Sequence, residues 1–172
     1  RRQRQMCIRD RYAHGNQPIQ HMLYLYNYSG QPWKAQHWIR EVMDKLYTPN
    51  PDGYCGDEDN GQTSAWYVFS AMGFYPVCPG TDQYVMGTPY FKQMKLHLEN
   101  WQDRADQRTG NSDENRYIAS MTVNGKTLTR NYLTHKELMN GAKITMKMSS
   151  TPNKQRGVRE SDFPYSFSKE VR

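Results

Sequence analysis

Three consecutive carboxylates, Asp57, Glu58 and Asp59, lie between Gly56 and Gly61. Asp57 and Asp59 are two residues apart in a predicted turn, so their side chains can point into one space while Glu58 points away. Such a pair suits a general base that activates water, a site for a hard cation, or both. A solvated helix cap is the alternative, because Asp-x-Asp turns often precede helices as Asx turns. An EF-hand loop is excluded, since its sixth and twelfth positions would be Gln62 and Val68.

A largely apolar segment follows the acidic loop directly. The length from Gln62 to Met72 predicts a short helix, with Gly73 as its C-terminal stop and Pro76 just beyond. Apolar residues cover nearly every side of this helix, so we expect it to be buried. The positive end of its dipole would then keep the carboxylates of the preceding loop ionised.

The polar turn at 14–18 precedes a short helical run that stops at Gly30. Ordinary hydrogen bonding near a helix start is the simplest role for His14 and His21. Pro32 is well placed to begin the next helix. That helix is amphipathic, with apolar residues at i, i+3, i+4, i+7, i+8 and i+11: Ala35, Trp38, Ile39, Val42, Met43 and Leu46. Its other face is expected to be solvated and comprises Lys34, Arg40, Glu41, Asp44 and Lys45.

Beyond Pro79-Gly80 the hydrophobic period changes from helical to alternating, which predicts strands. We expect strands over 91–98, 116–123, 126–134 and 143–148. Asn124-Gly125 is the strongest hairpin signal. Residues 101–114 are predicted to be a polar connecting segment between strands. Strands with one apolar face need a partner layer, and we expect that layer to come from outside these residues.

Composition excludes several classes of protein. The formal charge of +6 depends on five arginines within residues 1–12, so it does not indicate a nucleic-acid-binding protein. No stretch is long and apolar enough for a membrane span. Abundant tyrosine beside carboxylates is typical of carbohydrate sites. The three cysteines match neither a zinc spacing nor a disulfide framework, and we expect free, buried thiols, with a Cys55–Cys78 bridge as the alternative.

Several long strings give the chain a resemblance to glycoside hydrolase family 92, the calcium-dependent exo-acting α-mannosidases. They are Tyr24-Leu25-Tyr26-Asn27-Tyr28, Gly30-Gln31-Pro32-Trp33-Lys34, Gly56 to Gln62, Ser64 to Ser70, Gly73-Phe74-Tyr75-Pro76-Val77, Asn115-Arg116-Tyr117-Ile118, Tyr132-Leu133-Thr134-His135 and Phe163-Pro164-Tyr165-Ser166. The resemblance covers roughly residues 13 to 170 and implies the C-terminal part of such a protein.

The resemblance implies an α+β fold: the last helices of an (α/α) toroid, followed by antiparallel strands that complete a β-sandwich. Residues 13–80 would belong to the helical catalytic domain, and 81–172 to a strand-rich region. Residues 1–12 are predicted to be an unstructured or foreign leader. The implied location is periplasmic or extracellular, and the implied partner is a mannose-containing glycan, with a role in N-glycan degradation.

The implied activity is hydrolysis of terminal α-mannosides, of the α-1,2 type, with inversion. Asp59 would act as the base on water and Asp57 would support it. His14, Asn16, Gln17 and Trp66 would bind substrate. Asp59, Asn16 and Gln17 would bind Ca²⁺.

The chain departs from the family pattern at Gln17, where the family has a carboxylate, and at Ile19-Gln20, in place of a Ser-His pair. The family's general acid lies upstream of this sequence. We therefore expect the 172 residues alone to be inactive and to need the N-terminal part of their own protein. Two alternatives stay open: a non-catalytic carbohydrate- or calcium-binding module, and a helical-toroid glycosidase acting on another sugar.

Overall fold

The structure is a computed structural model that describes residues 12–97 and 104–170. The three longest helical elements precede the strands: a 3-10 helix (Gln17–Asn27, called the 3-10 helix below), α1 (Pro32–Leu46) and α2 (Gln62–Met72). The short α3 (His135–Met139) lies between strands, and two single 3-10 turns, Glu160–Asp162 and Phe167–Lys169, follow them. The strands are β1 (Phe74–Tyr75), β2 (Gln83–Met86), β3 (Gln93–His97), β4 (Arg104–Thr109), β5 (Tyr117–Val123), β6 (Lys126–Thr127), β7 (Tyr132–Thr134) and β8 (Lys143–Ser149). The predicted α+β class is confirmed.

Both predicted helices are confirmed, with the predicted ends. Pro32 occupies the first turn of α1, where a missing N–H costs nothing. The second helix, α2, ends at Gly73, whose φ of 96° lies in the left-handed region that glycine adopts without strain. The Gly73 N–H donates to the carbonyls of Phe69 and Ser70, which closes the last turn.

The faces of the two helices differ from the prediction. In α2, Trp66 and Ser70 are fully buried but Val68 is 55% exposed, so the helix is covered on one side only within the described residues. In α1, Trp38 is 46% exposed, whereas Gln36 and Arg40 are buried. Hydrophobic spacing correctly predicts the burial of Ala35, Ile39, Val42 and Met43. It misses Gln36 and Arg40, because these polar side chains bond to partners that are distant in the sequence.

Arg40 was expected on a solvated face and instead joins α1 to two loops. Its guanidinium donates to the Pro89 carbonyl at 3.3 Å and to the Asn111 side-chain oxygen at 3.0 Å. It also lies 4.3 Å from the centre of the Tyr90 ring, within the range of a cation–π contact. Burial of this charge is offset by these two acceptors and by the carboxylate of Asp44 one turn later.

The strands form two sheets. β1, β2 and β7 make an antiparallel sheet in that order, and the second sheet has the order β3-β4-β8-β5-β6. Its central pair, β4 and β8, is parallel, which differs from the predicted antiparallel arrangement. Asn124 and Gly125, with φ of 51° and 79°, form the predicted hairpin turn between β5 and β6.

Two strand predictions were wrong. The polar stretch 101–114 contains β4, whose alternation is hidden because its buried positions are Ala105 and Gln107. The predicted return strand 126–134 is divided between the two sheets as β6 and β7. Between them the chain passes from the second sheet to the first, where the buried Asn131 donates its N–H to the Asp162 carbonyl and its carbonyl accepts the Met86 N–H.

The chain supplies the partner layer that the sequence analysis placed elsewhere. Buried residues of β4, β5 and β8 pack against the three-stranded sheet and α3 in one cluster. That cluster comprises Phe74, Met86, Ala105, Ile118, Met121, Val123, Leu133, Leu138, Ala142, Ile144, Met146 and Met148. The strand β8 shows the predicted pattern, with Ile144, Met146 and Met148 all buried.

A second cluster holds the helices together and continues into β2. It contains Leu23, Tyr24, Ala35, Ile39, Val42, Met43, Trp66, Ala71 and Val85. Polar bonds connect the helices to the sheets: the Gln36 side chain accepts the Ile118 N–H at 3.0 Å, and Glu41 pairs with Arg116 at 2.6 Å. The predicted division at residue 80 stays a prediction, although β1 already begins at Phe74.

Two further expectations concern the start of the chain and the thiols. Tyr12, the last residue of the predicted leader, is packed and hydrogen-bonded to His14, and residues 1–11 lie outside the described residues. Cys55 and Cys78 are free, as expected, but they are not buried, since Cys55 is exposed and Cys78 half-buried. Cys7 lies outside the described residues.

Replacing Arg40 tests the buried polar contact between α1 and the loops. We expect Arg40→Met to lower the free energy of unfolding by about 3 kcal/mol, because it strands the carbonyl of Pro89 and the amide of Asn111 without a donor. Lys34→Met, on the exposed face of the same helix, is the matched control, with a change within about 0.5 kcal/mol. Urea unfolding measures both, and equal effects would contradict this role for Arg40.

Candidate active site

The acidic loop turns left-handed at three consecutive residues just before α2. Asp59, Asn60 and Gly61 have φ of 59°, 56° and 98°, and Gly61 is the N-cap of α2. A non-glycine residue in this region costs roughly 1–2 kcal/mol. The loop is therefore held in place by contacts with its surroundings rather than by its own backbone preference.

Glu58 provides the first of these contacts. Its carboxylate accepts the Gly61 N–H and the Ser64 hydroxyl, each at 2.7 Å. These donors, the Ser64 hydroxyl first, hold the pKa of Glu58 below its usual value. Glu58 is thus the acid that occupies the start of α2.

The two aspartates differ from Glu58 in having no such partner. Among the described residues, neither the Asp57 nor the Asp59 carboxylate makes a hydrogen bond or an ion pair. Asp59 is half-buried and Asp57 exposed. Two uncommitted carboxylates in a rigid loop are available to bind a ligand or to accept a proton.

Thr63 connects the loop to the 3-10 helix. Its buried hydroxyl donates to the Asp57 carbonyl at 3.1 Å and accepts from the Gln20 amide at 3.2 Å. Its own N–H donates to the Glu58 carbonyl at 3.2 Å. Thr63 therefore fixes both peptides that precede Asp59.

The turn at 14–17 is pressed against the acidic loop. Gly15 and Gly56 meet backbone to backbone: a Cβ on Gly56 would lie 2.6 Å from the Gly15 Cα, and one on Gly15 would lie 2.8 Å from the Cys55 carbonyl oxygen. Gln17 donates its side-chain amide to the Asp59 carbonyl at 3.2 Å. Asn16, next to it, is exposed. The structure therefore brings Asn16, Gln17 and both aspartates to one place.

His14 and Trp66 lie behind this place, within the protein. His14 is 1% exposed, and its ring nitrogens bond to the hydroxyls of Tyr12 at 2.8 Å and Tyr47 at 2.7 Å. Trp66 is fully buried, packs against the His14 ring at 4.2 Å, and donates its indole N–H to the Gln20 carbonyl. Their predicted sugar contact stays a prediction and gains no support from this burial.

Burial also sets the protonation state of this group. It lowers the pKa of His14 to about 4, because the charged imidazolium would lose its hydration. It raises the pKa of both Tyr12 and Tyr47 well above the usual tyrosine value. One ring nitrogen of the neutral His14 donates and the other accepts, so the three side chains form a neutral, hydrogen-bonded chain.

The predicted calcium ligands fit that ion poorly. Ca²⁺ takes six to eight oxygen ligands from carboxylates, carbonyls and water, whereas Asp59, Asn16 and Gln17 are three side chains with one carboxylate among them. The Gln17 amide nitrogen, a donor, faces the loop. Within the described residues no group of three or more His, Cys, Asp or Glu side chains could hold a metal.

Sequence reasoning missed the residues that support the loop. Glu58 had a signal, because an acid just before a helix commonly binds its first N–H groups. Gln20, Tyr47 and Thr63 had none, since their partners lie far away in the sequence.

Residues 2–150 match the family described as "Glycosyl hydrolase family 92 catalytic domain". The chain belongs to glycosyl hydrolase family 92. Two solved structures of this family, both from Bacteroides thetaiotaomicron, resemble it closely. An inverting mannosidase is 57% identical, with a TM-score of 0.86 over 91% of this chain and 21% of that one. An α-mannosidase is 39% identical, with a TM-score of 0.87 over the same shares.

A curated fungal relative gives a weaker match. It is described as an uncharacterized secreted glycosidase of Arthroderma benhamiae, and is 28% identical over 89% of this chain and 20% of its own length. This family 92 chain thus spans about a fifth of the length of each relative. None of its described helices is long and apolar enough to cross a membrane.

The close contact between Gly15 and Gly56 predicts the effect of a substitution in the acidic loop. We expect Gly56→Ala to lower the free energy of unfolding by about 2 kcal/mol, because the new methyl group meets backbone atoms that cannot move aside. Gly80→Ala is the matched control, since a Cβ there meets open space. Denaturant unfolding compares the two, and a Gly56 variant as stable as the Gly80 variant would contradict the contact.

The low pKa of His14 makes stability depend on pH. The unfolded chain binds a proton at His14 as pH falls below about 6.5, whereas the folded chain does so only near pH 4. The free energy of unfolding should therefore decrease as the pH falls from about 6.5 to about 4, and His14 should contribute up to about 3 kcal/mol of this decrease. His14→Gln should flatten that decrease and His97→Gln, at an exposed position of β3, should not. Urea unfolding at pH 7.5 and 4.5 tests this, and parallel curves for wild type and His14→Gln would refute it.

Proposed function

We propose that the chain is the C-terminal part of an exo-acting α-mannosidase that hydrolyses terminal mannose with inversion. The observation that carries the proposal is the difference between the three carboxylates of the acidic loop. Glu58 is committed to the start of α2, while the carboxylates of Asp57 and Asp59 have no partner among the described residues. Support comes from the 57% identity to an inverting family 92 mannosidase.

In this proposal Asp59 is the general base. An inverting glycosidase needs a carboxylate that removes a proton from water on one face of the sugar while a carboxylic acid protonates the leaving oxygen on the other. Asp59 suits the first role better than Asp57, because it is half-buried and its peptide is held on both sides. Asp57 would keep the local field negative and help orient the water.

The general acid would come from protein outside these 172 residues. In support, the chain spans about a fifth of its relatives. We propose that the whole protein encloses the loop within an (α/α) toroid, and that the sheets described here join a β-sandwich. The chain alone should then show no turnover of α-mannosides.

The proposal extends to a substrate and a location. We propose a mannose-containing glycan of the N-glycan type as substrate, α-1,2-linked, bound near Asn16 and Gln17. His14 and Trp66 would support the site from behind and leave direct contact to exposed groups. A periplasmic or extracellular location is supported by the fungal relative described as secreted. No step of this proposal passes through a calcium ion, because the three expected ligands fit that ion poorly.

Substituting Asp59 in an active context tests the function. In a chimera, this chain replaces the matching fifth of the 57% identical Bacteroides mannosidase. We expect Asp59→Asn to lower kcat by ~10³-fold, because an amide cannot accept the proton of water. Asp57→Asn should have a smaller effect, and Asp52→Asn, at an exposed loop position, is the matched control with kcat unchanged.

Two other outcomes are informative. A kcat within a few-fold of the parent chimera would remove Asp59 as the base. A raised KM with unchanged kcat would favour the alternative, in which the carboxylates bind sugar without doing chemistry. Release of mannose from α-1,2-, α-1,3- and α-1,6-mannobiose by the parent chimera measures the linkage preference.

A further inference from the structure

We infer that Gln17 is a positioning residue that holds the Asp59 peptide through its side-chain amide, and that it is not a cation ligand. The inference rests on the proposed role of Asp59 as the base. It starts from the three left-handed residues of the loop, whose conformation has to be maintained from outside.

The two ends of the left-handed segment are held by other groups. Glu58 binds the Gly61 N–H at the far end, and Thr63 binds the Asp57 carbonyl at the near end. Between them, the Asp59 carbonyl accepts the Gln62 N–H at 3.3 Å and the Gln17 amide at 3.2 Å. Among the described residues, Gln17 is the single side chain that bonds to the main chain of Asp59.

The chemistry of that bond requires an amide. A main-chain carbonyl oxygen only accepts, so the group facing it has to donate. The NH₂ of Gln17 donates, whereas a carboxylate at neutral pH has no proton to give. A glutamate at this position would also place a negative charge beside Asp57 and Asp59.

Gln17 is itself rigidly placed. It begins the 3-10 helix, with Pro18 next to it and the Ile19 N–H bonded to the Asn16 carbonyl at 3.1 Å. The Asn16 N–H in turn bonds to the Ala13 carbonyl at 2.8 Å. Because Gly15 packs directly on Gly56, the distance between the Gln17 side-chain amide and the Asp59 carbonyl is fixed by this backbone contact.

The Gln17–Asp59 hydrogen bond, called the clamp below, can be tested without reference to catalysis. The test is hydrogen exchange on the 172-residue chain. Loss of one net hydrogen bond should speed exchange of the amides of residues 59–62 by about fivefold in both Gln17→Leu and Gln17→Glu. Gln93→Glu is the matched control, because it adds the same charge at an exposed position of β3, outside the loop. Unchanged exchange in Gln17→Leu overturns the inference, and so does equal acceleration in the control.

Kinetics in the chimera test whether the clamp aims the base. We expect Gln17→Glu and Gln17→Leu each to lower kcat by ~10- to 100-fold with KM within about threefold, because a base displaced by a fraction of an ångström loses its alignment with water. Gln93→Glu should stay within about twofold of the parent. Thermal midpoints of all variants identify any loss of folding, and the Leu and Glu variants check each other.

The outcomes separate the two proposals. If Gln17→Glu keeps or raises kcat, the positioning role is overturned, because a carboxylate then serves better than a donor. If Asp59→Asn leaves kcat unchanged, the proposed function fails. The exchange result still shows whether Gln17 holds the Asp59 peptide. Faster exchange together with lower kcat at unchanged KM supports the inference.

Discussion

The acidic loop is held in a left-handed conformation that its own residues disfavour, and the rest of the site depends on that restraint. Three side chains from different elements act on it: Glu58 within the loop, Thr63 in α2 and Gln17 at the start of the 3-10 helix. The backbone contact between Gly15 and Gly56 closes the remaining gap. Removing any of them would let residues 59–61 relax toward ordinary backbone angles and carry Asp59 with them.

Behind the loop lies a neutral, hydrogen-bonded network rather than a charged one. His14, Tyr12 and Tyr47 satisfy each other's hydrogen bonds, and Trp66 covers them. Keeping this group uncharged matters, because a buried imidazolium there would need a counter-ion and the nearby acids are on the solvent side of the loop. The arrangement lets carboxylates accumulate at the surface without a compensating charge beneath them.

The helices and the sheets stabilise this arrangement in different ways. Helix α1 is anchored to β5 through Gln36 and Glu41, and to the following loops through Arg40. The 3-10 helix and α2 then pack on α1 and on β2. A loop carried on packed elements keeps its geometry better than one carried on further loops. The chain that builds this arrangement belongs to glycosyl hydrolase family 92.

Local signals in the sequence determined the helix ends at Pro32 and Gly73, the hairpin at Asn124-Gly125 and the alternation of β8. Each depends on residues a few positions apart, so the printed order of amino acids is enough. The order also identified the loop that holds Asp57 and Asp59. Only the tertiary structure decided that Arg40 and Gln36 are buried, that β4 is a strand, and that Gln17 faces the Asp59 carbonyl. Those outcomes depend on partners dozens of residues away, because a buried polar group is stable only where the fold supplies its hydrogen bonds.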